Sequence, residues 1–218
     1  GGLRGLVSAA GLTGARTAAV SLVALDVAPP RTGRAAEGAP WQVAFVGGGV
    51  QAIAHREALA AVRPSAKVRF VTRRPEGELP LREGDEVVPP DALDTAIASA
   101  DVVITSVAFG TKDREIDAAQ LTPGATVVAT DYATAVTART VQGVRAHGSA
   151  PDLPRLWVDD DEQFDATRAS GKLPAYGAAD ATLGQALADP EGLGQRIRER
   201  PVGATVVVNH LGVAVWDL

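Results

Sequence analysis

Short apolar runs alternate with amphipathic stretches along this chain, a pattern typical of strands and helices in an α/β protein. The apolar runs predict buried parallel strands over 41–46, 67–72, 100–107 and 125–130, and short strands over 3–8 and, last, 156–158. Because helical stretches separate the runs, the sequence predicts a doubly wound, mainly parallel sheet.

The amphipathic stretches predict the helices. Thr13 is the expected N-cap of a helix over 13–25, which Pro29 and Pro30 end. For the helix over 50–63, the predicted apolar face consists of Val50, Ile53, Ala54, Ala58, Ala61 and Val62, with His55, Arg56 and Glu57 partly opposite. Further helices are predicted from Asp91 to Ser99, over 134–145, after the acidic run 159–161, and near 180–188 and 192–199.

Two stretches depart from a simple strand–helix alternation. Residues 73–90 lie where a doubly wound fold normally has a crossover helix, but they are rich in proline and glycine. We therefore expect an abbreviated crossover there. The acidic run 159–161 is interpreted as stabilising the N-terminus of the following helix electrostatically, rather than as a cation site.

A glycine run follows the strand at 41–46 directly. Gly47, Gly48 and Gly49, with Ala52 after them, have the G-x-G-x-x-(G/A) spacing of a dinucleotide-binding turn between a strand and a helix. Gly47 would allow the tight turn and Gly49 the close approach of a pyrophosphate. The first N–H groups of the helix would then point at the phosphates. This spacing predicts a Rossmann-type site, and a glycine turn without a ligand is the alternative.

The end of the second predicted strand indicates which dinucleotide binds. Thr72, Arg73 and Arg74 stand where NAD-binding folds usually place an acidic residue against the ribose 2′-hydroxyl. Two guanidinium groups and a hydroxyl suit a 2′-phosphate, so NADP(H) is favoured over NAD(H). The alternative is a solvated arginine pair at the start of a loop.

Composition narrows the function classes. A chain of 218 residues with 46% hydrophobic content suits one core, or one domain plus part of another. The net charge of −5 argues against nucleic acid, and no apolar run is long enough to predict a membrane span. The absence of cysteine excludes thiol catalysis and fits a cytoplasmic protein. The histidines at 55, 147 and 210 are scattered, so no protein-bound metal is expected.

Several stretches together resemble the ornithine cyclodeaminase/mu-crystallin family, and they occur in the family's order. They are LTGARTAAVSLVAL (12–25), FVGGGVQAIAHREAL (45–59), ADVVITSV (100–107), LTPGATVVA (121–129), VDDDEQ (158–163), GKLPAYG (171–177) and TVVVNHLGVAVWDL (205–218). The resemblance implies a Rossmann domain over 31–200. It also implies a remnant of a substrate and dimerisation domain, built from 1–30 and 201–218, in a homodimer.

The resemblance also implies chemistry: hydride transfer between nicotinamide and the α-carbon of an amino acid or imine. Arg16 matches the arginine that pairs with the substrate carboxylate. The residues that match cofactor-binding positions are Gly47, Gly49, Val50 and Gln51 in the turn, Arg73 at the 2′-phosphate, Thr105 and Ser106 near the nicotinamide ribose, and Leu211 and Gly212 in the closing turn.

Two motifs depart from the family pattern. The closing F-K-S is Val208-Asn209-His210 here. His210 either hydrogen-bonds the carboxamide or supplies a proton to a nascent amine, or it is a structural histidine. The segment G-x-D-x-P-G-K-x-E-L, which carries the cyclodeaminase aspartate, is ATDYATAVTART here, and Asp131 lies two places early. Asp131 is the catalytic candidate, with Tyr132 as an alternative proton donor.

These matches lead to one hypothesis with two alternatives. The leading hypothesis is an NAD(P)-dependent imine reductase or amino-acid dehydrogenase. The alternatives are a cyclodeaminase that releases ammonia and a non-catalytic NADPH-binding protein. The strand-rich segment that precedes the Arg16 helix in the family is missing from the sequence. We therefore expect either a piece of a longer chain or a shortened member.

Overall fold

Eight parallel strands form one sheet in the computed structural model, which describes residues 9–108, 110–111, 114–147, 150 and 152–211. The strands are β1 (Gln42–Val46), β2 (Lys67–Val71), β3 (Glu86–Val88), β4 (Val102–Thr105), β5 (Thr126–Ala129), β6 (Leu156–Val158), β7 (Ala181–Thr182) and β8 (Val206–Asn209). Their order across the sheet is β3-β2-β1-β4-β5-β8-β6-β7. The predicted doubly wound parallel sheet of a Rossmann-type α/β fold is confirmed.

Helices cover both faces of the sheet. On one face, α1 (Ala9–Val27), α3 (Val50–Val62), α7 (Leu183–Ala188) and α8 (Leu193–Arg198) share a buried cluster with Phe45 and Trp157. On the other, α4 (Leu93–Ile97), α5 (Ala138–Ala146) and α6 (Asp161–Ala169) pack around Val103, Val127 and Val207. The short α2 (Gly33–Ala36) precedes β1. The central strands β4 and β5 are covered on both faces and buried along their whole length, which is why their positions were predictable.

The five strand predictions from 41 to 158 are confirmed, with ends that differ by a few residues. The stretch 156–158 is not the last strand, because β7 and β8 follow it. β8 lies between β5 and β6, with Val206, Val207 and Val208 fully buried. The predicted strand over 3–8 lies outside the described residues. The assignment of the chain ends to a second domain stays a prediction.

Two predictions about the helices on the first face are wrong. Thr13 is inside α1, which begins four residues earlier at Ala9, so it is not an N-cap. The predicted apolar face of α3 is also wrong, since Val50 and Val62 are 55% and 48% exposed. The buried side chains of α3 are instead Ala52, His55, Arg56, Leu59 and Ala60. Apolar periodicity missed this face because two of its members are polar residues with buried partners.

The structure confirms the predicted abbreviated crossover. Asp85, the buried partner of Arg56, lies in this crossover. Between β2 and α4 the chain forms only 3₁₀ turns and β3. Asp85 in this loop accepts from Arg56 Nε at 2.6 Å and from the backbone N–H groups of Val68 and Arg82 at 2.9 Å. Because the Arg56 and Asp85 side chains are almost fully buried, this ion pair joins the loop to α3 in place of apolar packing.

Two of the remaining helices start at positions that differ from the predicted ones. Asp91 does not cap α4, since it lies in a 3₁₀ turn and Ala92 is the N-cap. The helix predicted over 134–145 begins later, at Ala138, because Thr137 and Thr140 form a capping box. The predicted helices near 180–188 and 192–199 correspond to α7 and α8.

Candidate functional site

The sheet has a topological switch point between β1 and β4. From β1 the chain proceeds to β2 and β3 on one side, whereas β4 and β5 lie on the other. In open α/β sheets, ligands bind outside the carboxyl ends of the strands at such a point. Gly47 and Ser106 follow these two strands, and the Ser106 N–H donates to the Val46 carbonyl at 2.9 Å.

The three glycines of the turn after β1 have different surroundings. Gly47 has φ of 134°, and a Cβ there would collide with the Ser106 carbonyl oxygen. A Cβ on Gly48 would collide with the Thr72 hydroxyl, whereas a Cβ on Gly49 would meet nothing within 4 Å. Gly49 is the N-cap of α3 and has no side chain to satisfy the first N–H groups of this helix. The first two glycines therefore form the turn, and the third leaves room beside a helix N-terminus, which suits a phosphate.

A cleft of about 460 Å³ lies against this turn. Its lining residues are Gly47, Gly48, Gly49, Val71, Thr72, Arg73, Arg74, Ser106, Val107, Ala108, Thr111 and Arg114. Three of them are arginines, and none of the lining residues that the structure describes is acidic. The cleft is therefore electropositive where it meets the helix N-terminus, as an anionic ligand requires.

The arginines of the cleft come from two loops. Arg73 and Arg74 follow β2, where Thr72 Oγ1 accepts from the Arg74 N–H at 3.1 Å, and Arg74 pairs with Glu78 at 3.5 Å. Arg114 comes from the loop after β4, and sequence reasoning missed it. The only signal was its position after a strand that ends beside β1, which becomes informative once the strand order is known.

Six predicted site residues do not line the cleft, and five of them are Arg16, Val50, Gln51, Thr105 and Asp131. The sixth is His210. Val50 is exposed in the first turn of α3, and Gln51 follows it with a buried Oε1. Arg16 is partly buried on α1. Gly212 lies outside the described residues.

Asp131 follows β5 and is buried. Its Oδ1 accepts from the N–H groups of Thr134 and Ala135 at 3.0 and 3.1 Å, whereas its Oδ2 is buried without a hydrogen-bond partner in the described chain. Burial and, to a smaller extent, the Asp131 charge raise the pKa of Tyr176. The sequence-based alternative, Tyr132, is exposed and lies under Lys172. Asp131 is thus buried at the end of β5, whereas Tyr132 lies on the surface.

Buried polar atoms without partners cluster at the carboxyl ends of four adjacent strands. Within the described ranges they are Thr105 Oγ1 on β4, Asp131 Oδ2 after β5, both amide atoms of Asn209 on β8, His210 Nδ1 after it, and Asp159 Oδ2 after β6. Buried polar groups in proteins are almost always hydrogen-bonded. This edge of the sheet is therefore suited to polar ligand groups.

Asp159 in this cluster was assigned by sequence to helix stabilisation. Asp160 does cap α6, since its Oδ1 accepts from the Gln163 N–H at 2.7 Å, and Asp161 lies in the first turn. Asp159 instead accepts from the N–H groups of Asp160 at 3.1 Å and Leu211 at 3.4 Å, and burial raises the pKa of its carboxyl. The helical interpretation of the run thus holds for two of its three members.

His210 belongs to a buried chain of hydrogen bonds. Its Nε2 lies 2.7 Å from Ser21 Oγ, which lies 2.7 Å from His55 Nε2. The Nδ1 of His55 lies 2.7 Å from the Gln51 carbonyl oxygen. Burial lowers the pKa of His55 to about 4, against an opposing contribution from the Gln51 carbonyl. Burial, with a smaller contribution from His55, lowers the pKa of His210 to about 3.

Metal-ligand groups and membrane-spanning helices are both absent from the described part of the chain. No group of three or more His, Asp or Glu side chains there is placed to hold a metal ion. No helix there has both the length and the apolar character that a membrane span needs.

Solved structures with this fold include several enzymes. The chain is 25% identical to the protein CmnK, with a TM-score of 0.67 over 96% of this chain and 59% of that one. A Δ1-pyrroline-2-carboxylate reductase from Thermococcus litoralis, solved with NADH and L-proline, is 18% identical, with a TM-score of 0.64 over 94% and 61% of the two chains. A probable ornithine cyclodeaminase from Bordetella pertussis Tohama I is 20% identical, with a TM-score of 0.66 over 94% and 62%.

These matches identify the fold as the Rossmann-type fold found in such enzymes. The predicted resemblance to the ornithine cyclodeaminase/mu-crystallin family is confirmed at this level. The chain spans 59–62% of the length of these three structures. No protein-family model and no curated protein matches the chain.

Proposed function

We propose that this chain is the cofactor-binding part of an NAD(P)-dependent oxidoreductase of the ornithine cyclodeaminase/mu-crystallin type. Its reaction would be hydride transfer to or from an imine derived from an amino acid, or oxidation of the amino acid itself. The observation that carries the proposal is the electropositive cleft at the switch point, where Gly49 leaves open space at the N-terminus of α3. The bound NADH in the Thermococcus litoralis reductase supports it.

The residues present fit a nicotinamide dinucleotide. The turn Gly47–Gly49 and the first N–H groups of α3 would hold the pyrophosphate, and Arg73 and Arg74 a ribose 2′-phosphate. Arg114 adds a third cation to the same cleft. This density of positive charge supports a preference for NADP(H) over NAD(H), because a 2′-phosphate carries about two negative charges near neutral pH.

The bound cofactor would supply or accept the hydride, and the chain's own residues would position the substrate. Arg16 would pair with the substrate carboxylate, as the family match implies. Thr105 and Ser106 would contact the nicotinamide ribose at the end of β4. Asp131, with its buried Oδ2, would hold or receive a proton beside the reacting carbon. Positioning of this kind contributes most of the acceleration in hydride transfer.

Cofactor binding and turnover can be tested separately. Calorimetric titration with NADPH and NADH measures binding, and absorbance at 340 nm with cyclic imines or amino acids measures turnover. Net consumption of NADPH would support the reductase. Binding without turnover would leave the non-catalytic alternative, and no binding would refute the proposal.

The cyclodeaminase alternative depends on the same carboxylate as the proposed reductase. Asp131 is buried and has an oxygen without a partner in the described chain, which suits the acid–base work of ammonia loss. Ammonia release from ornithine or lysine, without net change in the cofactor, would support this alternative.

The proposal also includes the oligomeric state of the protein. We expect 1–30 and 201–218 to contribute to a substrate and dimerisation domain and the protein to form a homodimer. Leu12 and Val23 on α1 are 47% and 40% exposed, which supports a covering partner. Light scattering coupled to size-exclusion chromatography measures the oligomeric state, and a monomer at micromolar concentration would contradict this part.

A further inference from the structure

The hydroxyl of Ser21 lies between two buried histidines that come from different elements. Ser21 is on α1, His55 on α3, and His210 follows β8. All three side chains are at most 1% exposed, and each of the three contacts that connect them to one another and to Gln51 is 2.7 Å long. No charged side chain takes part in these contacts.

The acceptor at one end of the chain determines where the protons lie. The Gln51 carbonyl oxygen can only accept, so His55 Nδ1 must carry a proton. The imidazole of His55 is neutral because burial lowers its pKa to about 4, so its Nε2 carries no proton and accepts from Ser21. The Ser21 hydroxyl has one proton, which it donates to His55. It must therefore accept from His210 Nε2–H.

The other nitrogen of His210 is then fixed as well. A neutral imidazole with a proton on Nε2 has a lone pair on Nδ1. This Nδ1 is buried and has no partner in the part of the chain that the structure describes. It lies in the cluster of polar atoms at the carboxyl ends of β4, β5, β8 and β6, the edge at which the proposed cofactor site lies.

We propose that Ser21 and His55 are positioning residues that fix His210 as its Nε2–H tautomer, so that Nδ1 accepts a hydrogen bond from an N–H group of a bound ligand. The inference rests on the proposed function only for the identity of this ligand. Two N–H sources fit the chemistry: the carboxamide of the nicotinamide and the amine of the substrate. In both, His210 accepts, so the sequence-based idea that it supplies a proton to a nascent amine does not fit.

Nitrogen-15 NMR of the histidine side chains in the full chain without ligand tests the tautomers directly. We expect His210 to be protonated on Nε2 and His55 on Nδ1, both neutral at pH 7. Assignment uses His210→Gln and His55→Gln. A His210 with the proton on Nδ1, or an imidazolium at neutral pH, would overturn the proposal. This readout needs no cofactor, so it is independent of the proposed function.

Ser21→Ala tests the role of the bridge. The alanine is smaller by one oxygen atom and keeps the helix, so we expect a folded protein in which His210 loses its fixed tautomer and shows averaged nitrogen resonances. Ser65→Ala, at an exposed position that takes no part in the histidine contacts, is the matched control and should leave the His210 spectrum unchanged. An unchanged His210 tautomer in Ser21→Ala would contradict the positioning role.

The ligand is identified by adding probes to the wild-type protein. If the carboxamide donates, NADPH shifts the His210 Nδ1 resonance upfield, whereas the reduced 3-acetylpyridine analogue, which lacks that N–H, does not. If the amine donates, neither cofactor alone shifts the His210 Nδ1 resonance, whereas L-proline added together with NADP⁺ shifts it upfield. No shift in either arm, with binding verified by calorimetry, would refute the acceptor role. Absence of any cofactor binding would instead refute the proposed function.

Discussion

Gly48 lies directly against Thr72, so that a Cβ on this glycine would collide with the threonine hydroxyl. This contact brings the turn after β1 to the end of β2, where Arg73 and Arg74 begin. The neighbouring Gly49 has open space instead. Gly48 is therefore required for the structure of the turn, whereas Gly49 is the glycine at which the proposed ligand binds.

Gly49→Ala should keep the fold but weaken the binding of the cofactor. The N-cap φ of −83° accepts alanine, and its Cβ meets no protein atom within 4 Å. A ligand phosphate that approaches this backbone would meet the new methyl group, so we expect the Kd for NADPH to rise roughly tenfold or more, about 1.4 kcal/mol. Calorimetry measures the affinity, and thermal unfolding without ligand verifies the fold.

Gly77→Ala is the matched control, since its Cβ also meets nothing within 4 Å and it does not line the cleft. Gly48→Ala should instead lower the unfolding temperature, because the Thr72 side chain must move. If Gly49→Ala binds NADPH as tightly as the wild type, the pyrophosphate does not lie at this glycine.

The arginines of the cleft should distinguish the two dinucleotides. Replacing both Arg73 and Arg74 with alanine removes two cations from the proposed 2′-phosphate site. We expect the free energy of NADPH binding to become less favourable by roughly 2 kcal/mol. The free energy of NADH binding should change by less than about 0.5 kcal/mol. Arg139→Ala, on an exposed arginine outside the cleft, is the control. Equal losses for both dinucleotides would mean that these arginines contact a group common to both.

The buried ion pair between Arg56 and Asp85 should be essential for stability. Asp85→Ala would leave the guanidinium buried without its carboxylate and release the Val68 and Arg82 N–H groups. We expect a loss of about 3–5 kcal/mol in the free energy of unfolding, measured with urea. Glu115→Ala breaks the exposed pair with Arg139 and should cost less than about 1 kcal/mol. Similar losses in the two variants would show that the Asp85 pair is not specially important.

Stability should fall in acid because of the buried histidines. The pKa values of His55 and His210 are lowered from 6.5 to about 4 and about 3 in the folded protein. Between pH 6.5 and these values the unfolded chain binds more protons, so the free energy of unfolding decreases as the pH falls. The decrease is at most about 1.4 kcal/mol per pH unit for each histidine.

Urea unfolding from pH 7 to pH 4 measures this slope. The pKa of Asp159 is raised, so its contribution to the slope of the unfolding free energy with pH has the opposite sign. The slope of each variant is therefore compared with the slope of the wild type. His210→Gln should have a shallower slope than the wild type, whereas His147→Gln, at an exposed position, should not. An equal slope in His210→Gln and the wild type would contradict the buried neutral state.

Apolar patterning predicted the strands well because parallel strands are buried on both faces, as Val102, Val103 and Ile104 are. It failed for α3, where His55 and Arg56 are buried by partners 34 and 29 residues away along the chain. No periodicity in the sequence carries such pairings. β8 was missed as a strand because its apolar run merged into the apolar end of the chain.

In the candidate site too, local features were predictable from the sequence and long-range contacts were not. Local motifs predicted the glycine turn and the Thr72–Arg74 segment, because a strand, a turn and a helix are continuous in sequence. Arg114, Asp159 and the Ser21 bridge reach the sheet edge only through the strand order, which the sequence did not indicate. Asp131 and His210 were identified by family resemblance, and their roles stay predictions.

The most direct test of the central claim is calorimetric titration of the protein with NADPH and NADH. We predict saturable binding of one dinucleotide per chain, tighter for NADPH, and a rise in the unfolding temperature with each ligand concentration step. If neither dinucleotide releases heat on binding or shifts the unfolding temperature, the cleft at the switch point is not a nicotinamide site.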